Sequence, residues 1–250
     1  MSVQAVKQEL RQHINPERAV VAPRFFKAGP GEYAEGDKFI GTTVPDTRKV
    51  AKKYRDLPLA AAEKLLRSRW HEERLAALFI LVDQFEQGDE LVRRHIYELY
   101  LANTAYINNW DLVDSSASRI VGAYLADKPD RIQVLEKLAH SELLWERRIA
   151  MISTLYYIVL LGRADEAIVI ADILLYDSHD LIQKAVGWML REVGKRVDHS
   201  LLADYLEQHA ATMPRTTLRY ALEHFSEDRR QYYLQKKSTT GKILKQEGAA

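Results

Sequence analysis

An aspartate stands among cations at one register of this chain. Five eight-residue segments can be set in line: HEERLAAL from His71, DLVDSSAS from Asp111, WERRIAMI from Trp145, LIQKAVGW from Leu181 and RTTLRYAL from Arg215. Their fourth positions read Arg74, Asp114, Arg148, Lys184 and Leu218. Stacked helices would bring these side chains into one row. Charges usually mark a solvated helix face, yet a lone anion among cations can also be functional. Two of the four tryptophans join the row. Trp110 precedes Asp114 by four residues and Trp188 follows Lys184 by four, so each pair shares a helical face. Arg191 and Lys195 continue the second stripe. Cations neutralise phosphate and flat rings pack on sugars or bases, so this pattern suits a nucleic-acid surface. Trp70 and Trp145 are expected in the core, as most large aromatics are.

The elements carrying these residues repeat. The five segments start 40, 34, 36 and 34 residues apart. Each is expected to open a long amphipathic helix. Each is preceded by a shorter one, at 59–68, 90–102, 130–140, 165–175 and 200–210. A period of roughly 36 residues with two helices per unit indicates an all-α fold, an α-solenoid of HEAT-like helical hairpins with a concave face. Residues 4–14 have helical spacing. A turn-rich loop follows, holding Gly29, Gly31, Gly36 and Gly41 with Pro23, Pro30 and Pro45, and a helix starts near Pro45 and Asp46. Residues 1–235 read as a single domain, with N-terminal helices and loop at 1–56, repeats at 57–235 and a flexible tail at 236–250.

Composition narrows the rest. The 250 residues include only 11 glycines and 7 prolines, too few for a turn-rich β fold. Cysteine is absent, which removes thiol nucleophiles, thiolate metal sites and disulfides. No HExxH, GxSxG, GxGxxG or GxxxxGK[ST] pattern occurs, so no metal or cofactor is expected. The start, MSVQAVKQELRQH, lacks an apolar signal core, and the apolar stretch at 150–161 is too short to span a bilayer. A cytoplasmic location without membrane contact is expected. Pairs such as Glu72–Glu73 and Glu146–Arg147 read as helix-start or surface charges. Formal net charge is +1, but it is polarised: residues 1–180 sum to −3 and residues 181–250 to +4. A local basic face can bind DNA on a nearly neutral protein.

NNWDLVDSSA at 108–117, LWERRIA at 144–150, DLIQKAVGWMLREVGKR at 180–196 and MPRTTLRYALEHF at 213–225 together resemble the AlkD-like DNA alkylation repair family, the HEAT-like-repeat alkylpurine DNA glycosylases. FIGTTVPDTRK at 39–49 is similar to that family's N-terminal G-x-x-x-P-x-x-R segment. The resemblance covers about residues 5–235 and implies hydrolysis of the N-glycosidic bond of cationic N3- and N7-alkylated purines in duplex DNA. By motif it implies Trp110, Asp114, Arg148 and Trp188 as catalytic residues. Thr43, Arg48, Arg74, Asn109, Lys184, Arg191, Lys195, Arg215 and Arg219 are the matching DNA-binding candidates. A cofactor-free monomer is implied. A non-catalytic DNA-binding member and a protein-binding scaffold are the alternatives.

One segment departs from the family. KAGPGEYAEGD at 27–37 looks longer and richer in Gly and Glu. Its Glu32, Glu35 and Asp37 would either belong to a clamp on DNA or sit over the cleft and repel phosphate. Thr43 stands where a larger polar residue would reach the minor groove.

Overall fold

Side-chain caps set the first helix starts. The computed structural model describes residues 1–236. Helices α1 (Val3–Arg11), α2 (Pro16–Phe25) and α3 (Val44–Lys53) begin behind Ser2, Asn15 and Thr43, whose side chains accept free backbone N–H groups. Pro16 and Pro45 occupy first turns, where a missing N–H is harmless. Then come α4 (Leu59–Leu66), α5 (His71–Gln87), α6 (Glu90–Ala102), α7 (Trp110–Asp114) and α8 (Ala123–Leu125). They are followed by α9 (Arg131–Ala139), α10 (Leu144–Ser153), α11 (Asp165–Leu174), α12 (Asp180–Arg196), α13 (His199–His209), α14 (Arg215–Ala221) and α15 (Glu227–Gln235). Helices thus follow one another from α4 onward with starts at or near the expected places, and the described residues form no β-strand. None of their helices is long and apolar enough to cross a membrane. The tail expected at 236–250 falls, beyond Lys236, outside the described residues.

The chain groups into two compact units, Met1–Arg131 and a second starting at Ile132. In the first, α5 packs against α3, α4 and α6. The run from Leu75 to Val82 on α5 is buried on every side, as suits a helix surrounded by others. In the second, α12 packs against α10, α11, α13 and α14. Ile182, Ala185, Val186, Met189 and Leu190 form its buried stripe. Gly187 allows the approach of α14: a Cβ there would lie 2.5 Å from the Thr217 carbonyl oxygen.

Two expectations change. The turn-rich loop starts later, because α2 runs through Pro23 to Phe25. The second helices of the pairs are also not uniformly long. Only α5 and α12 reach 17 residues. Wide π-type turns at Ser118–Gly122 and Tyr157–Leu161 interrupt the helical runs that begin with α7 and α10. The fifth, α14, ends after 7 residues.

The first turn of α5 organises the N-terminal unit. His71, Glu72, Glu73 and Arg74 are all buried, so the surface reading of Glu72–Glu73 is corrected. Buried charge must be paired. Glu73 takes Lys7 and Arg11 of α1, each at 2.8 Å, and the Ser68 hydroxyl at 2.6 Å. Burial opposes its ionisation, but these donors outweigh burial and lower its pKa. Glu72 accepts the backbone N–H groups of Ile40 and Gly41 at 2.9 and 2.7 Å. Arg74 donates to Asp37 at 2.5 Å and to the Ser68 carbonyl at 2.9 Å. His71 reaches Asp37 from Nδ1 at 3.5 Å and Asp111 from Nε2 at 2.8 Å. Burial depresses its pKa, yet the two carboxylates prevail and raise it to about 9. One helical turn therefore ties down α1, the Gly-rich loop and α7.

Gly41 has φ 85°, and a Cβ there would meet the Asn15 carbonyl oxygen at 2.1 Å. Gly41→Ala should lower unfolding free energy by more than about 1 kcal/mol, measured by urea denaturation. The His71 cation carries a pH signature. Its folded pKa lies above the unfolded 6.5, so its contribution is complete below pH 6.5 and is lost as pH rises through about 9. Each unit of elevation is worth about 1.4 kcal/mol. Unfolding free energy from urea denaturation should fall across this window by an amount on the order of 3 kcal/mol, and His71→Gln should flatten that slope. An equally steep slope in the variant would contradict the assignment.

Candidate nucleic-acid site

Trp110 and Asp114 occupy the two ends of α7, one helical turn apart, and both are partly exposed. Asn109 starts this helix. Its Oδ1 accepts the Trp110 N–H at 2.9 Å and its Nδ2 donates to the Phe26 carbonyl at 3.2 Å. Asn109 is fully buried and ties α7 to the end of α2. Asp111 is held by His71. Beyond Asp114, the Ser116 hydroxyl donates to the Leu112 carbonyl at 2.6 Å and lies 3.0 Å from the buried Tyr100 hydroxyl. Burial raises the Tyr100 pKa, and the negative charge of Asp114 adds to that rise. A helix of five residues cannot hold its own shape in water. These tertiary ties hold it, and with it the spacing of Trp110 and Asp114.

Phe26 stacks beside Trp110, with ring centroids 5.8 Å apart and planes at 26°. Phe25 meets Trp110 edge-on at 5.7 Å. Trp145 is in the core, as expected. Trp70 is not: it is half-buried between the guanidinium groups of Arg11 and Arg69.

Each acid of the Gly-rich loop is engaged within the protein, and only the Asp37 side chain is buried. Glu32 accepts the Gly29 N–H at 2.8 Å and Glu35 accepts that of Gly31 at 2.9 Å. Asp37 takes Arg74, His71 and, at 3.3 Å, the Asn108 amide. Burial raises its pKa, but these three donors prevail and lower it. Arg74, expected to bind DNA, is buried and paired with Asp37 in this structure. Thr43 is likewise engaged as a helix cap. Its hydroxyl donates to Asp46 at 2.6 Å and accepts the Asp46 N–H at 3.2 Å. Arg48 is exposed, with its guanidinium 4.1 Å from the Phe79 ring centre.

In the C-terminal unit Arg148 is buried and donates to the Leu181 carbonyl at 2.5 Å. Lys184 pairs with Asp180 at 2.6 Å. Trp188 is partly exposed, and its Nε1 donates to Glu192 at 3.3 Å. Glu192 also takes Arg191 and Arg196. Burial opposes its charge, but the two arginines outweigh it and lower its pKa. Arg191 additionally pairs with Glu223. Lys195, Arg215 and Arg219 are exposed, and Arg215 donates to the Leu234 carbonyl at 2.7 Å.

The proposed single row is out of phase by one residue. Ser68 Oγ accepts the Trp70 N–H, Ser141 Oγ that of Leu143, and Asp177 Oδ1 that of His179. Six residues after each of these caps, Arg74, Arg147 and Gln183 donate back to the cap residue's carbonyl. Arg74 thus corresponds to Arg147 and Gln183. Arg148 and Lys184 sit one position later, in register with Leu75. Glu146, read as a surface charge, accepts the Ser141 hydroxyl at 2.6 Å, just as Glu73 accepts that of Ser68. Sequence reasoning missed His71, Asp111 and Glu192, which fix the orientation of the expected site residues. The i,i+4 spacing of Trp188 and Glu192 was a usable signal. Nothing local marks the His71–Asp111 pair, whose members are 40 residues apart in sequence.

Comparison with known proteins supplies the context. No protein of curated function matches the sequence. One similar solved structure is described as "Predicted DNA alkylation repair enzyme from Enterococcus faecalis". It superposes with a TM-score of 0.66 at 18% identity, covering 86% of this chain and 98% of that one. This likeness shows the fold, the all-α helical-repeat class of the α-solenoid. The profile of the family described as DNA alkylation repair enzyme matches residues 6–225, most of the chain, and the protein therefore belongs to the DNA alkylation repair enzyme family.

Proposed function

We propose that this protein is a DNA glycosylase that hydrolyses the N-glycosidic bond of cationic N3- and N7-alkylated purines, such as 3-methyladenine and 7-methylguanine, in duplex DNA. The observation that carries this reading is α7: a tryptophan and an aspartate one turn apart, both reaching solvent, on a helix held at both ends. The reading rests on the family as well as on this geometry.

The chemistry follows from the leaving group. Alkylation puts positive charge on the purine, so it departs as a neutral base with the bonding electron pair. No acid is needed to protonate it. The deoxyribose then develops oxocarbenium character. A preorganised carboxylate beside the sugar stabilises that charge, which is the role of Asp114. It also orients the attacking water and accepts its proton as C1′ gains the new C–O bond. The π face of Trp110 favours the cationic sugar over the neutral one. Arg148, buried on the Leu181 carbonyl, acts as a framework cation. DNA backbone contacts fall to exposed cations such as Arg48, Lys195, Arg215 and Arg219. Selectivity comes from the lability of a charged lesion, so neutral uracil is left in place.

Asp114→Asn should lower single-turnover release of 7-methylguanine from methylated duplex by about a hundredfold or more. Its DNA affinity should stay within about twofold of wild type, since a carboxylate near phosphate adds nothing to binding. DNA binding by wild type without base release would overturn the catalytic reading. Affinity should fall steeply with salt. Lys195→Ala and Arg219→Ala should each reduce the slope of log K against log salt by about one. Unchanged slopes would remove those residues from the interface.

A further inference from the structure

Trp110 sits in a closed circuit of contacts within the N-terminal unit. Its indole stands 5.8 Å from the Phe26 ring, with the planes at 26°. The Phe26 ring lies 4.5 Å from the His71 imidazole. His71 Nε2 bonds Asp111 at 2.8 Å, and Asp111 is the residue after Trp110. The buried Phe39 backs the circuit, with its ring 5.3 Å from Phe26 at 9° and 5.2 Å from His71. Phe25 adds a contact of another kind, edge-on to Trp110 at 5.7 Å and 72°. Aromatic pairs prefer both geometries, at centroid separations of roughly 4.5–7 Å. A near-parallel and a near-perpendicular neighbour restrict an indole about different axes.

The Phe26 backbone is fixed as firmly as its ring. Its N–H donates to the Ala22 carbonyl at 2.8 Å, and its carbonyl accepts Asn109 Nδ2 at 3.2 Å. The next residue, Lys27, has φ 57°, which residues other than glycine seldom adopt. That turn ends α2 and lets the Ala28 N–H reach the Pro23 carbonyl at 2.9 Å, a bond typical of a closed helix C-terminus. A backbone conformation this unfavourable persists only where the surroundings over-determine it. A surface indole without such support samples several staggered rotamers. We infer that Phe26 is a positioning residue, whose ring holds the Trp110 indole in one orientation before DNA arrives. It acts on the reaction only through Trp110. Its catalytic consequence rests on the glycosylase reading, because Trp110 aids the developing sugar cation only from an aligned position.

Nitrogen-15 relaxation of the indole Nε1–H groups tests the stack in the intact protein. The chain has four tryptophans, so four signals are expected, and Trp110→Phe identifies the one that matters. Without DNA its order parameter should be about 0.85, the value of a rigid group. In Phe26→Leu it should fall below about 0.6, while that of Trp70, in the same unit, is unchanged. Single-turnover release of 7-methylguanine should drop about tenfold in that variant, because misplaced groups slow the step. DNA affinity should stay within about twofold, since no charge changes. Phe26→Tyr keeps the ring and should restore both order and rate. Leucine nearly conserves volume and Phe26 is half-buried, so circular dichroism should match wild type. The wild-type order parameter needs no variant, and a value below about 0.6 would overturn the inference outright. So would an ordered indole or an unchanged release rate in Phe26→Leu, or a tyrosine variant as impaired as the leucine one. Loss of order at Trp70 as well would mark a general loosening and overturn it too. Base release by wild type with a mobile Trp110 would sink the stack and leave the glycosylase standing. Order at Trp110 that is lost only in Phe26→Leu, with no base release by wild type, would do the reverse.

Discussion

Four successive ionisable side chains without water are the constraint on which the N-terminal unit depends. His71 to Arg74 begin α5, and α5 is enclosed by other helices. Each charge must therefore be met by another part of the chain. The partners are far away in sequence: Lys7 and Arg11, Asp37, the Ile40 and Gly41 amides, and Asp111. Removing one partner of a buried charge pair typically costs about 3–5 kcal/mol. Such a turn acts as a gauge, because α1, the Gly-rich loop and α7 must all arrive before it is satisfied. The tryptophan and aspartate of α7 are held in place as a by-product of that requirement.

The helical class was legible because it is written in periodic residues. The shorter helices at 59–68, 90–102, 165–175 and 200–210 appear within a residue or two of their expected bounds, since apolar spacing and break residues determine them locally. The extent of the longer helices was not legible. Nothing in DLVDSSAS or WERRIAMI announces a π-type turn downstream, because such a turn is a tertiary compromise. The register of the ionisable row failed for a related reason. Aligning HEER with WERR by apparent similarity hid the cap residues, Ser68, Ser141 and Asp177, which set the true phase.

Pattern reading also sorts charge poorly. Glu72, Glu73 and Arg74 look like an ordinary solvated helix start, and only the full set of contacts shows them buried. The same limit applied to Asn109 and Thr43, whose polar groups serve as helix caps. Trp110 and Asp114 were easier. Their four-residue spacing needs only a helix to acquire meaning, and α7, though short, is one.

The wide turns also change the phase of the helices they interrupt. Each accommodates one residue beyond the normal α repeat, and one residue of an α-helix corresponds to about 100° of rotation. The turn at Ser118–Gly122 therefore acts as a phase shift between the start of its helical run and the remainder. Within and beyond it, Ile120, Val121 and Leu125 are buried in the core. Upstream, Trp110 and Asp114 can present a different azimuth without forcing those apolar residues outward. Aim and packing are thereby set at two phases of one run of chain: α7 turns Leu112 and Val113 inward and leaves Trp110 and Asp114 toward solvent, while the residues beyond the turn pack at their own azimuth.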